Sequence, residues 1–362
     1  MRIGFDAHVL DGRNQGTKTL MLRLIDVLAR RYPEHEVFVY CEHPHQELDF
    51  TLPNLHHRPT MRRGVASYLL RTMPRASRAD ALDAMVFNFI QSPLMRNATV
   101  MMHDILPQTH PQFFPSLFVA QCWVFFGMSA LLAKHLVTIS EYSRDEIRRI
   151  YPWTRRKSIR VLHIGASFPE KVYFAPDDVN ASLPPLVTGS RYILVVGRIE
   201  ERKNVQLAID AFRAGSTADL KLVIVGRRDF DTAIDTYNDP RIVELVGVSD
   251  TELITLYRRA ELFLYPSLAE GFGLPLLDAI LFGLPVLASR RTSMAEVGMG
   301  ATTFFDPAEP DATRWLGERI DAHFAGDPVP CATMSVRYER AALYSWESAA
   351  AELIGTIVGG ER

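Results

Sequence analysis

The run LFLYPSLAEGFGLPLLDAILFGLPVLAS, residues 262–289, governs the reading of the whole chain. Its first four residues are apolar and aromatic, as in a strand buried on both faces, and its last four have the same character. Between them Gly271 and Gly273 form a loop. Pro275 suits the first turn of a short helix, where its missing N–H is not needed, and Gly283 with Pro285 stops that helix about two turns later. Bare N–H groups at the two glycines and the positive end of the helix dipole then converge on one point, which suits an anionic oxygen. Glu270 stands before the loop and Asp278 inside the helix, so two carboxylates flank that point. A lone phosphate would be repelled by them, whereas sugar or ribose hydroxyls would donate to them. The alternative makes Glu270 a solvated loop residue and Asp278 a residue favoured by the helix dipole.

Outward from this run the same rhythm fills the chain. RIGFDA, EVFVYC, AMVFNFI, TVMMHD, HLVTIS and RVLHIG read as strands in the first half, as do YILVVG, LKLVIVG, IVELVG, LFLYPS and LPVLAS in the second. Segments of helical period such as TLMLRLIDVLARRY and NVQLAIDAFRAG separate them. The 362 residues, at about 150 per domain, allow two domains. The fold class is therefore α/β, with two facing Rossmann-like, doubly wound parallel sheets and a cleft between their carboxyl edges. The expected boundaries are an N-terminal domain over 1–170, a Pro-, Ser- and Asn-rich linker over 171–190, a C-terminal domain over 191–345 and a closing helix over 346–362. That helix opens at the capping-box-like Ser345-Trp346-Glu347-Ser348, and its packing is open between the two domains, a return onto the first being one outcome.

A second informative element is VVGRIEERKNVQLAIDAF, where a strand ends at Gly197 and a helix begins near Asn204. Arg198 and Lys203 bracket the turn, a fork and a point charge that together could neutralise a diphosphate. Read alone, Glu200, Glu201, Arg202 and Lys203 could equally be a solvated charge cluster. With the Glu270 loop, the pairing points to a nucleotide-diphosphate sugar. At the front, Gly12 and Gly16 in DGRNQGTKTL would let backbone approach a ligand closely, although neither GxGxxG nor a P-loop is present. His103 and Asp104 fall just past a strand end; His103 is either a contact to a transferred sugar or a satisfied structural histidine. Asp229-Phe230-Asp231 has a DxD spacing, read here as a turn, and no metal or other cofactor is expected.

Composition narrows the partners. Forty Lys and Arg against forty-two Asp and Glu give a formal charge of −2, which offers no reason to seek nucleic acid. Three separated cysteines and the absence of a signal-peptide-like start suit a cytoplasmic protein. Residues 105–133 carry no Lys, Arg, Asp or Glu, and read as a buried or interface-lying helix in preference to a span. Arginine clusters at Arg62, Arg63, Arg71, Arg75 and Arg78, and at Arg148, Arg149, Arg155, Arg156 with Lys157, are either solvated helix faces or a peripheral contact with an anionic membrane at its inner face.

The ordered motifs VVGRIEERKN, LVIVG, VELVGVSDTELITLYRRAELFLYPSLAEGFGLPLLDA and SMAEVG resemble the retaining glycosyltransferases of family 4, of GT-B fold. FDAHVLDGRNQGT, FNFIQSP, MMHDILPQTHP and VTISEYSRDEI are similar to the mannosyl- and rhamnosyltransferase branch that serves surface polysaccharides, lipopolysaccharide included. The resemblance implies that Arg198 and Lys203 bind the donor diphosphate, Glu270 the sugar hydroxyls, Asp278 the ribose and His103 the sugar near the reacting carbon. The backbone of Gly271, Phe272, Gly273 and Leu274 would contact phosphate, with Gly16 at the donor side; the domain over 1–170 would bind the acceptor and that over 191–345 the nucleotide sugar. It also implies a hexose, mannose from GDP-mannose by leaning, moved to a glycan or polyprenyl-linked glycan. Where the family has E-x7-E, this chain has Glu270 and Asp278, the second side chain being one methylene shorter. A sugar-nucleotide epimerase, a phosphorylase or a non-catalytic nucleotide-sugar-binding protein would use the same fold.

Overall fold

The computed structural model describes residues 1–12, 16–175, 183–215, 219–228 and 232–359. The chain divides into two compact units, one made of Met1–Gly165 with Leu343–Arg362 and the other of Ala166–Ala342.

The first unit holds a seven-stranded sheet in the order β3-β2-β1-β4-β5-β6-β7. Its strands are β1 (Arg2–Asp6), β2 (Glu36–Cys41), β3 (Leu55–Pro59), β4 (Ala84–Asn88), β5 (Ala98–Met101), β6 (His135–Thr138) and β7 (Ile159–Val161). The second unit holds six strands in the order β10-β9-β8-β11-β12-β13. They are β8 (Arg191–Val196), β9 (Leu220–Val225), β10 (Ile242–Leu245), β11 (Leu262–Tyr265), β12 (Val286–Ser289) and β13 (Thr303–Phe305). Every pairing between these strands is parallel. Parallel strands need crossovers that cover both faces, which explains why β4, β5, β11 and β12 are buried at every residue. In each sheet the winding direction reverses once, between β1 and β4 and between β8 and β11. Such reversals open a crevice at the carboxyl ends of the flanking strands, where ligands of doubly wound sheets bind.

The core of the second unit gathers Ile193, Leu222, Ile224, Leu262, Leu264 and Leu287 from the strands with Ile209, Phe212, Leu316 and Ile320 from helices. In the first unit Phe38, Met85, Phe87 and Val100 pack with Tyr68, Met73, Phe126 and Tyr151. The structure moves the boundaries: the chain enters the second unit at Ala166 and returns at Leu343. The helix Trp346–Gly359 starts where Ser345 Oγ accepts the Ser348 N–H at 3.0 Å, and it belongs to the first unit. The Trp346 indole covers Gly165 so closely that any Cβ there would collide with it.

The apolar stretch forms the helix Ser116–Leu132 in the first unit. Among the described residues no helix is long and apolar enough to cross a membrane.

Candidate functional site

In the second unit the reversal point is built from the ends of β8 and β11. After Val196 the backbone passes through Gly197 at φ +145°, a conformation L side chains rarely adopt, and its N–H donates to Val225 O at 3.0 Å. Gly226 lies against it, and a Cβ on Gly226 would overlap the Gly197 carbonyl. This close backbone approach aims the next residues past the sheet edge. A single 3₁₀ turn, Glu201–Lys203, follows, ending in Asn204 at φ +52° before the helix Val205–Ala214.

The turn brings Lys203 and Arg202 onto Glu270. Glu270 is 6% exposed, and its Oε1 accepts from Lys203 Nζ and, at 2.9 Å, from the Tyr265 hydroxyl. Its Oε2 receives Arg202 Nη1 at 2.9 Å, and the same nitrogen donates to Ala269 O at 2.8 Å. The other branch of Arg202 lies 2.6 Å from Glu200. Lys203 Nζ also donates to the Tyr265 hydroxyl at 3.1 Å. The loop backbone is fixed from outside: Glu270 N–H donates to Thr292 Oγ1 at 3.0 Å, and the Ser293 hydroxyl donates to the carbonyls of Glu270 and Phe272 at 2.9 and 3.0 Å.

Burial alone would raise the Glu270 carboxyl, but Lys203 and Arg202 outweigh it and hold it at about 2. The site thus contains an ionised carboxylate at any physiological pH. Arg198 is exposed, 3.7 Å from Glu200. A small cavity between the two strand ends is lined by Gly197, Arg198, Lys203, Tyr265, Pro266 and Ser267.

The helix expected after the glycine loop is Leu274–Phe282, capped by Gly273 at φ +104° and Gly283 at φ +80°. Pro275 lies in its first turn. The N–H groups of Gly271, Gly273 and Leu274 have no acceptor among the described residues.

Asp278 has a different environment from the one expected. Its carboxylate is 3% exposed and accepts the Ser167 N–H at 3.0 Å, the Ser167 hydroxyl at 2.6 Å and the Tyr173 hydroxyl at 2.5 Å. Burial raises it to about 6 against those hydrogen bonds. Glu270 and Asp278 therefore have separate partner sets.

In the first unit His103 follows the end of β5, 3% exposed, with Nε2 2.9 Å from Asn88 Oδ1 and its ring against Phe89 at 4.8 Å. Burial draws its imidazole down to about 4, so it is neutral at physiological pH. Gly16 is the exposed first residue of the helix Gly16–Arg31. Asp229-Phe230-Asp231 lies outside the described residues. Among those described, no group of three or more His, Cys, Asp or Glu is placed to hold a metal ion.

Arg202, Tyr265, Thr292 and Ser293 are the site residues that sequence reasoning missed. Only Arg202 had a signal, its place beside Lys203 in a turn directly after a strand end.

Residues 183–315 match the family model described as Glycosyl transferases group 1. The O-antigen chain mannosyltransferase B of Escherichia coli is 29% identical over 238 residues, 62% of this chain and 61% of that protein. The O-antigen chain mannosyltransferase RfbU of Salmonella typhimurium is 27% identical over 222 residues, 59% of this chain and 58% of that protein. The chain thus spans about three fifths of the length of these two relatives. Among solved structures, sucrose-phosphate synthase from Thermosynechococcus elongatus superposes with a TM-score of 0.75 at 16% identity, covering 97% of this chain and 96% of that one. WaaG, a glycosyltransferase involved in lipopolysaccharide biosynthesis, does so with 0.66 at 17% identity, covering 99% and 98%. At these identities the likeness is one of fold, the GT-B arrangement of two parallel-sheet units.

Proposed function

We propose, on the premise that residues 183–315 are a glycosyl transferases group 1 domain, that this chain is a retaining, metal-independent mannosyltransferase of surface polysaccharide synthesis. It would use GDP-mannose and a glycan or polyprenyl-linked glycan as acceptor. One observation carries the reading: a buried Arg202–Glu270–Lys203 cluster, followed by the Gly271, Gly273 and Leu274 amides that have no acceptor among the described residues, at the winding reversal of the second sheet.

As the bond from sugar C1 to the diphosphate breaks, negative charge grows on the leaving phosphate. Lys203, Arg198 and the start of the helix Leu274–Phe282 stabilise it, each charged contact contributing ~1.5–3 kcal/mol when desolvated. Glu270, held ionised, accepts from the sugar hydroxyls. Because its two oxygens are already engaged by Arg202, Lys203 and Tyr265, it is poorly placed to act as a covalent nucleophile. We therefore assign front-face transfer, with the departing phosphate taking the acceptor hydroxyl's proton. Within the first unit His103 presents a neutral ring for a sugar contact and Gly16 an exposed helix residue; within the second, Asp278 supplies a ribose contact.

The polyprenyl-linked acceptor agrees with the helix Ser116–Leu132, which exposes Leu117, Phe118, Trp123, Val124, Leu131 and Leu132. Exposed Trp153 packs over Gly127 of that helix, and exposed Arg155 and Arg156 follow it in sequence. Apolar and indole side chains with nearby cations suit the anionic surface of a membrane, here assigned to its cytoplasmic face.

The decisive experiments are two. Thermal shifts with GDP, UDP, ADP and dTDP should favour GDP, a ligand at a hundredfold its dissociation constant adding ~2.7 kcal/mol. The product's anomeric configuration, read by NMR, should equal the donor's, and inversion refutes the front-face mechanism.

A further inference from the structure

The reversal point of the first sheet, between β1 and β4, carries a polar cluster that donor chemistry does not use. Asp6, the last residue of β1, is 1% exposed, and its Oδ1 receives both His8 Nδ1 at 2.7 Å and the Tyr68 hydroxyl at 2.6 Å. Its carbonyl accepts Asn88 Nδ2, from the end of β4, at 3.1 Å. The Tyr68 ring meets the His8 ring edge-on, with centroids 6.1 Å apart and planes at 71°.

A carboxylate only accepts, so Nδ1 of His8 carries a proton towards Asp6, and the tautomer this contact selects has its lone pair on Nε2. The His8 side chain is 22% exposed, and Nε2 has no partner among the described residues. A buried acid, a tyrosine and a neighbouring ring thus hold one hydrogen-bond acceptor in a fixed direction, where a doubly wound sheet binds its ligand. An unpaired acceptor at Nε2 suits an O–H donor, whereas the Asp6 carboxylate behind the ring disfavours an anion. The matching ligand is a neutral polyhydroxyl compound.

We propose that Asp6, His8 and Tyr68 form a sugar-hydroxyl site in which His8 Nε2 accepts the hydrogen bond. Describing that sugar as the transferase acceptor rests on the function proposed above; the binding itself does not. Asp6 and Tyr68 are positioning residues, and His8 is the one that touches the ligand.

The test uses the full chain labelled with ¹⁵N-histidine and methyl α-D-mannopyranoside as the probe. Long-range ¹H–¹⁵N correlation should find His8 protonated at Nδ1, and its Nε2 resonance should move saturably with sugar at roughly millimolar affinity or weaker. His8→Phe should weaken sugar binding about tenfold, the loss of one good hydrogen bond, with GDP affinity unchanged. Asp6→Asn should weaken it less and disturb the tautomer. A proton on Nε2, or a His8 signal indifferent to sugar in folded protein, overturns the proposal. Titration with GDP is scored separately: its failure would refute the donor reading and leave the His8 result standing.

Discussion

Lys203→Met gives the sharpest test of the donor cluster, because the structure sets both its size and its sign. Glu270 is held at about 2 against an ordinary 4.5, although burial pushes the other way. At about 1.4 kcal/mol per tenfold change in proton affinity, the ionised carboxylate contributes about 3 kcal/mol of stability, shared between Lys203 and Arg202. A depressed carboxyl gives that stability in full above its ordinary value and loses it as pH falls toward about 2. Removing Lys203 leaves Glu270 buried with Arg202 as its remaining cation, so we expect a loss of about 2 kcal/mol at pH 7. For a unit of this size that is a fall of roughly 4–8 °C in its melting temperature. GDP affinity should drop about tenfold or more with the lost charged contact. The double variant Lys203→Met/Glu270→Gln should regain stability, since the buried carboxylate is gone and Arg202 keeps its ion pair with Glu200, but not GDP affinity. Scanning calorimetry with GDP titration decides: a single variant that melts within about 1 °C of the parent and binds GDP equally well refutes the cluster's role.

Three further outcomes are expected. Asp278 stands at about 6 against 3.8, so it favours the folded state most below 3.8, and that contribution is lost as pH rises through about 6. The melting difference between the parent and Asp278→Asn should change across that window, and a constant difference would show Asp278 titrating normally. Gly226→Ala should cost about 3 kcal/mol or more because its methyl would overlap the Gly197 carbonyl, and circular dichroism melting at parental temperature would contradict this. Leu117→Glu/Val124→Glu, both exposed, should abolish flotation with anionic vesicles without lowering the melting temperature. Equal flotation of variant and parent would remove the Ser116–Leu132 helix from the membrane contact.

The α/β class and both doubly wound sheets were legible because buried parallel strands leave uninterrupted apolar runs, as in YILVV and LFLY. The helix Leu274–Phe282 was equally legible, since Gly273, Pro275 and Gly283 act through local backbone rules. What escaped depends on distant partners. Arg202 reads as a solvated neighbour of Glu200 and Glu201 until the 3₁₀ turn is known to direct it at Glu270, 68 residues later. Asp278 reads as a carboxylate flanking the anion site that suits a ribose hydroxyl, and the sequence gives no sign of its protein donors Ser167 and Tyr173, 111 and 105 residues earlier. The Asp6–His8 pair lies only two residues apart, but its meaning needs Tyr68 and the sheet order.

The first unit takes its last helix, Trp346–Gly359, from beyond the second unit in sequence. On the ribosome, the whole of Ala166–Ala342 is therefore synthesised while Gly165 still lacks its indole cover. The domain translated first is the one that finishes last, and until then it offers chaperones an unfinished apolar face.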